Sequence, residues 1–144
     1  MRFAFAALAL FAAACTPPTS EAPSTEATIP QQNADSALLN AVSAALMADF
    51  GTTKSVALTS DTIRTEGDWG WVIAQPQNVD WSQTKYAEQA AEGMLDGDGT
   101  TYALLQRENG VWIVRAFAVG PTDIAYAAWP QEYGAPASLM GLSE

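Results

Sequence analysis

The chain has 144 residues, with 16 acidic and six basic side chains, so its formal charge at pH 7 is −10. Such an acidic balance disfavours nucleic acid as a partner, because both molecules would be negatively charged. The sequence contains no histidine, which removes the commonest general base and metal ligand, and with it the usual hydrolytic triads and zinc sites. We therefore expect a non-catalytic protein without a metal or cofactor.

The first 14 residues predict a secretory signal peptide. Arg2 supplies the single charge, and residues 3–14, FAFAALALFAAA, are entirely apolar. A membrane span needs about 20 apolar residues, so this run is too short to cross a bilayer. A positive start, a short apolar run and small residues at its end are typical of a cleaved secretory signal.

Cys15 is the only cysteine and follows directly after three alanines, in the stretch AAAC. This stretch resembles the lipobox of bacterial lipoproteins, in which small residues precede an invariant cysteine. The resemblance implies that the Cys15 thiol receives a diacylglyceryl group, that the chain is cut before this residue, and that acyl chains hold it in a lipid bilayer. The alternative is an ordinary signal peptide in which Cys15 is incidental.

Residues 15–34 predict a lipidated cysteine followed by a disordered tether. They contain four prolines and a single large aliphatic residue, Ile29, so they cannot bury enough apolar surface to order themselves. As a flexible coil the segment would reach roughly 25 Å. Because Thr16 rather than Asp follows Cys15, the resemblance to enterobacterial lipoproteins favours a cell-envelope anchor in the outer membrane, facing the periplasm.

The remaining residues, 35–144, have the length of one ordinary domain, and they open with a helix over residues 36–50. Asp35 or Ser36 caps its start, and Gly51 ends it. Apolar residues recur at every fourth position and predict one buried helix face, formed by Leu38, Val42, Leu46 and Phe50.

Two strands follow the helix. Residues 55–65 alternate in a strand-like pattern, Gly67-Asp68 forms a tight turn, and WGWVIA returns as the second strand, with Arg64 opposite Trp71. Residues 79–99 are more variable, and Ser82 caps a short helix there.

Residues 101–119 predict a second hairpin around Asn109-Gly110, a pair typical of tight turns with positive φ at both residues. A two-residue loop pairs Arg107 with Trp112, Leu105 with Val114, Leu104 with Arg115, and Tyr102 with Phe117. In this register one wholly apolar face packs under the helix, namely Ala103, Leu105, Val114, Ala116 and Ala118. The opposite face is interrupted and covered less completely, and it comprises Tyr102, Leu104, Gln106, Ile113, Arg115 and Phe117.

A short helix that Thr122 or Asp123 caps and Pro130 ends completes the chain. The sequence therefore predicts an α+β fold, with an N-terminal helix packed on a four-stranded antiparallel sheet and a short C-terminal helix. This order resembles cystatin-like or nuclear-transport-factor-like folds. Residues 56–74 and 101–136 also resemble small uncharacterised secreted proteins of Gram-negative bacteria, a resemblance that implies neither an activity nor site residues.

Arg115 is the first candidate for ligand binding. It is the only charge on its strand face, next to Tyr102, and a half-buried arginine there suits an anionic ligand with bidentate geometry. The alternative is a salt bridge to Glu108 or another local acid.

Trp71 and Trp112 are further candidates, because aromatic rings stack on sugars and the chain also has Trp69 and Trp81. The alternative is packing, in which Trp71 and Trp112 each face an arginine across a hairpin in a cation–π pair. Asp96 and Asp98 do not form a calcium loop, because the residues that would follow do not fit the EF-hand pattern.

Two functions remain open. The first is a membrane-tethered, non-catalytic envelope lipoprotein that acts as a protein- or glycan-binding accessory module, with an envelope protein or peptidoglycan as its partner. The alternative is a small-ligand-binding or minor enzymatic domain that uses the sheet face around Arg115.

Lipidation of Cys15 is directly testable. Metabolic labelling with a clickable palmitate should mark the wild-type protein and leave Cys15→Ser unlabelled, because the thiol is the acceptor. The variant should also leave the membrane fraction. Equal labelling of the two proteins would show that Cys15 is incidental.

Overall fold

The computed structural model describes residues 28–143 and shows an α+β fold, as the sequence predicts. Cys15, the signal peptide and most of the predicted tether lie outside the described residues. The sheet is antiparallel with the strand order β1-β2-β3-β4. The helices and strands are α1 (Thr28–Phe50), β1 (Ala57–Glu66), β2 (Trp69–Gln77), α2 (Ala87–Ala91), β3 (Thr101–Glu108), β4 (Val111–Val119) and α3 (Trp129–Tyr133).

Helix α1 buries the face that the sequence predicts: Leu38, Val42, Leu46 and Phe50 all lie in the core. It also ends where predicted. Gly51 adopts a φ of 66°, and the amides of Gly51 and Thr52 donate to the carbonyls of Ala48 and Met47 at 3.3 and 3.0 Å. This pair of bonds is the Schellman motif, which needs a residue in the left-handed region.

The predicted start of α1 is wrong. The helix already includes Thr28, so Asp35 and Ser36 lie inside it and cap nothing. The Ser36 hydroxyl donates to the Gln32 carbonyl at 2.8 Å, and the Gln31 amide donates to the Asp35 carboxylate at 3.0 Å. Such bonds between residues four apart satisfy these polar side chains within the helix, and they accompany its extension into the segment predicted to be tether.

The first hairpin has the predicted register, with Arg64 opposite Trp71 across the Gly67-Asp68 turn. Helix α1 crosses this hairpin at Gly70. A Cβ atom at residue 70 would lie 2.6 Å from Leu38 Cδ2 and 3.3 Å from the Trp112 ring. A larger residue at position 70 would therefore force the fully buried Leu38 side chain to shift.

The short helices differ from prediction. Asp80, not Ser82, caps a 3₁₀ turn at Trp81–Gln83, by accepting from the Ser82 amide at 3.2 Å. Pro130 lies in the first turn of α3 rather than ending a helix, since a proline there loses no helical hydrogen bond. The cap predicted at Thr122 or Asp123 is not seen in the described residues. Asp123 is exposed, and turns rather than a helix follow it directly.

The second hairpin turns at Asn109-Gly110 with φ values of 51° and 80°, as predicted. Its register is correct from the turn to the pair Leu105–Val114 and wrong beyond it. A β-bulge shifts the pairing, so Leu104 lies opposite Ala116 and Tyr102 opposite Ala118. The extra residue is Arg115. One inserted residue moves every later side chain of β4 to the other face.

Because of the bulge, the two faces carry different residues from those predicted. Phe117 joins the core under α1, whereas Ala116 and Ala118 face the other side. That second face is also better covered than expected. The chain after β4 folds back across it and buries a second core, formed by Trp71, Leu104, Trp129, Ala135, Leu139 and Met140.

Candidate functional site

Arg115 lies on the second face near the hairpin turn, where its charge is already paired. Its Nε donates to Gln106 Oε1 at 2.9 Å, and its Nη2 forms an ion pair with Glu108. The side chain is 33% exposed. The local salt bridge to Glu108, which the sequence left open as an alternative, is therefore the arrangement observed.

Trp71 and Tyr102 lie in the second core. Trp71 is only 1% exposed, and it packs against Tyr126 with ring centroids 5.0 Å apart. Tyr102 stacks on Tyr126 at 5.2 Å. Burial, helped by Tyr126 and nearby carboxylates, raises the pKa of Tyr102. These rings form a packed layer rather than a platform open to a sugar.

Trp112 lies on the opposite side of the sheet, against the core under α1. The Arg107 guanidinium sits 5.4 Å from the centre of its ring and also pairs with Asp68 at 2.9 Å. The predicted cation–π pair at Trp112 is therefore present. Since Trp112, Arg115 and the Trp71–Tyr102 pair occupy three separate places, these candidates do not form one site.

The structure shows instead a polar cleft that the sequence did not predict. Its volume is about 480 Å³, which falls within the usual range for small-molecule sites. It opens between the loop after α1, the loop after β2 and the 3₁₀ turn at Trp81–Gln83. We call it the polar cleft, and its lining includes Phe50, Thr52, Thr53, Lys54, Ser55, Val56, Gln77, Asn78, Asp80, Gln83 and Thr84.

Backbone geometry shapes the walls of the polar cleft. The Schellman turn at Gly51 redirects the chain away from α1, and the Lys54 amide donates to Thr52 Oγ1 at 3.1 Å. Across the cleft, Asn78 adopts a φ of 57°, a conformation that asparagine tolerates better than most residues. Asp80 then accepts from the Ser82 hydroxyl at 2.6 Å. Both walls are thus held by short-range hydrogen bonds.

A clamp between α1 and the segment before α2 supports the cleft from behind. Asp49 accepts from Lys85 Nζ at 2.6 Å and from the Tyr86 hydroxyl at 2.8 Å. Phe50, Trp81 and Tyr86 pack edge to face, with ring centroids 5.5 to 6.3 Å apart. Burial and the Asp49 carboxylate raise the pKa of Tyr86, because both disfavour a phenolate there.

The chemistry of the polar cleft is that of hydroxyls and amides over a small apolar floor. Phe50 and Val56 are buried and form the floor. The charged residues of its lining are Lys54 and Asp80, and Lys54 forms no ion pair in the described part of the chain. Sequence patterns could not reveal this cleft, because its lining comes from separate segments of the chain with no spacing motif in common.

No family model matches the chain, and neither the curated proteins nor the solved structures include a match. In the part of the chain that the structure describes, no helix is both long and apolar enough to cross a membrane.

The contact between Tyr86 and Asp49 predicts that the folded protein loses stability at alkaline pH. The pKa of Tyr86 is higher in the folded protein than its ordinary value of 10.0. The protonated phenol therefore makes its full contribution to stability below about pH 10. This contribution is lost as the pH rises through the folded-state pKa. When the pH is raised above about 10, the free energy of unfolding measured with urea should fall less in Tyr86→Phe than in the wild type.

A companion variant is Asp49→Asn, which keeps the phenol and its burial, the largest cause of the raised pKa, but removes the Asp49 carboxylate. It should also reduce the alkaline loss. An unchanged alkaline loss in Tyr86→Phe would show that the Tyr86–Asp49 contact is not the source.

Proposed function

We propose that the protein is a lipid-anchored, non-catalytic accessory module of the bacterial cell envelope that binds a glycan in the polar cleft. The observation that carries this proposal is the lining of the cleft. Hydroxyls and side-chain amides from three segments converge there around an apolar floor. The anchor rests on the resemblance of the AAAC stretch to a lipobox.

A sugar suits this lining better than the other ligand classes. Serine, threonine, asparagine and glutamine side chains both donate and accept hydrogen bonds, as sugar hydroxyls do, and such side chains make up most of the lining. A lipophilic ligand would need a mainly apolar pocket. A strongly anionic ligand is disfavoured, because the domain carries 14 acidic and five basic side chains.

Within an envelope, the sugar chemistry that fits is an N-acetylated hexosamine chain, as in peptidoglycan. An acetamido group donates through its N–H and accepts through its carbonyl, so Asn78 and Gln83 can pair with it on one wall. Lys54 and Asp80 supply one charge of each sign, which leaves the cleft itself near neutral. Neutral or weakly charged saccharides therefore match the site.

The direction of α1 supports access to such a ligand. Leu38 packs at Gly70, near the start of β2, and Phe50 reaches the cleft near the end of β2. Helix α1 therefore runs along the sheet from the hairpin turns toward the cleft. Because Cys15 precedes α1 in the chain and the cleft lies at the C-terminal end of this helix, we expect the cleft to face away from the proposed anchor.

The sheet face around Arg115 offers less support for the alternative of a small-ligand or enzymatic site. Gln106 and Glu108 already pair with the guanidinium, so an anionic ligand would have to displace a carboxylate. Loss of a charge pair of this kind disfavours binding unless the ligand replaces it.

Binding can be tested by NMR with the full-length, detergent-solubilised protein and chitotetraose as the probe. Amide resonances of residues 52–55 and 77–84 should shift, while those of the Asn109-Gly110 turn should not. Asn78→Gly should weaken binding by about 2- to 10-fold, the value of one or two hydrogen bonds. Glycine accepts the φ of 57° at this position, so the variant keeps the backbone.

Gln131→Ala is the matched control, because Gln131 is an exposed amide on α3, outside the cleft. It should bind like the wild type. Shifts confined to other surfaces, or an equal loss in both variants, would contradict the proposal. Isolated peptidoglycan should then retain the wild-type protein more strongly than Asn78→Gly in a sedimentation assay.

A further inference from the structure

A second surface is independent of the polar cleft and lies between α2 and the loop after β4. A groove of about 280 Å³ opens there. Its lining combines apolar residues with polar ones, namely Met94, Leu95, Val119 and Pro121 with Gln89, Thr122 and Asp123. Met94 is 49% exposed, and Ile124, one residue beyond the lining residue Asp123, is 60% exposed. These are two of the four large apolar side chains that are exposed within residues 31–143. We call this surface the Met94 groove.

The Met94 groove is held in shape by the backbone. The Asp96 amide donates to the Gly120 carbonyl at 3.1 Å, and the Gly120 amide donates to the Thr100 carbonyl at 2.8 Å. Gly120 adopts a φ of 52°, and a Cβ atom there would lie 2.9 Å from Leu95 Cδ2. Two loops are thus joined with Leu95 seated between them, so the groove exists before anything binds.

The charge around the groove has one sign. Residues 86–100 and 116–128 contain five acidic residues and no lysine or arginine, namely Glu88, Glu92, Asp96, Asp98 and Asp123. All five are exposed. Among the described residues, no three such carboxylates come together as a metal site would require. Charge spread in this way complements several separated cations rather than one ion.

We propose that the Met94 groove docks a basic segment of another protein, one that presents an apolar side chain flanked by lysine or arginine. The apolar side chain would enter the groove, where the flexible methionine can adapt to its shape. The flanking cations would face the acidic rim, which speeds association and selects against acidic partners. Anionic lipid and nucleic acid carry the wrong sign for this surface.

The test uses the full-length protein and a labelled nine-residue peptide with one central leucine between lysines and arginines, followed by fluorescence anisotropy. Ile124→Ser should weaken binding about 5-fold or more, because it removes an exposed apolar contact. Asp123→Asn should weaken binding at low salt and reduce its salt dependence. Replacing the leucine of the peptide with serine should have an effect similar to that of Ile124→Ser.

Two controls separate this site from general charge attraction. Val111→Ser removes an equally exposed apolar side chain on β4, and Asp61→Asn removes an exposed carboxylate on β1. Both variants should bind like the wild type. No binding of the peptide, or equal losses in the controls, would overturn the proposal. It would also be overturned if Ile124→Ser reduced adsorption to phosphatidylcholine vesicles while leaving peptide binding intact, since the patch would then be a membrane contact.

Discussion

The packing of α1 on the sheet places the main core beneath the helix and the polar cleft at its C-terminal end. With no Cβ at residue 70, α1 settles close against the sheet, where Leu38, Val42 and Leu46 are all fully or almost fully buried. The same helix then delivers Phe50 to the far end of β2, where the Schellman turn at Gly51 opens one wall of the polar cleft. A helix held farther from the sheet would leave Phe50 without its ring contacts to Trp81 and Tyr86.

The bulge at Arg115 lets a single edge strand serve two cores. On the turn side of the bulge, Trp112 and Val114 face α1. Beyond it, Phe117 faces α1, and the small Ala116 and Ala118 lie beneath the aromatic layer of the second core. Small side chains there leave room for the large rings on that face. Arg115, the inserted residue, also places a charge in the middle of an edge strand, which discourages pairing with a second sheet.

Periodicity and turn chemistry predict much of this fold. The four-residue spacing of α1, the Asn109-Gly110 turn and the register of the first hairpin are local features, and all are confirmed. Both faces of β4 are mainly apolar, so one inserted residue leaves the pattern of apolar side chains unchanged. The spacing therefore does not reveal the bulge. For the same reason the alternation predicts the wrong faces for Phe117 and Ala116. The polar cleft depends on two loops that meet only in the folded chain, so no local pattern in the sequence marks it.

Helix α1 joins the segment that carries the proposed anchor to the polar cleft, and a distance measurement tests this arrangement. The lipidated full-length protein would be reconstituted in vesicles that contain an acceptor-labelled lipid, with a donor fluorophore at residue 53 in the cleft or at the exposed residue 111 beside the hairpin turn. Helix α1 is about 34 Å long at 1.5 Å per residue, and its N-terminal end lies beyond the hairpin turns. Energy transfer to the membrane should therefore be stronger from residue 111 than from residue 53. Equal transfer, or stronger transfer from residue 53, would contradict the account.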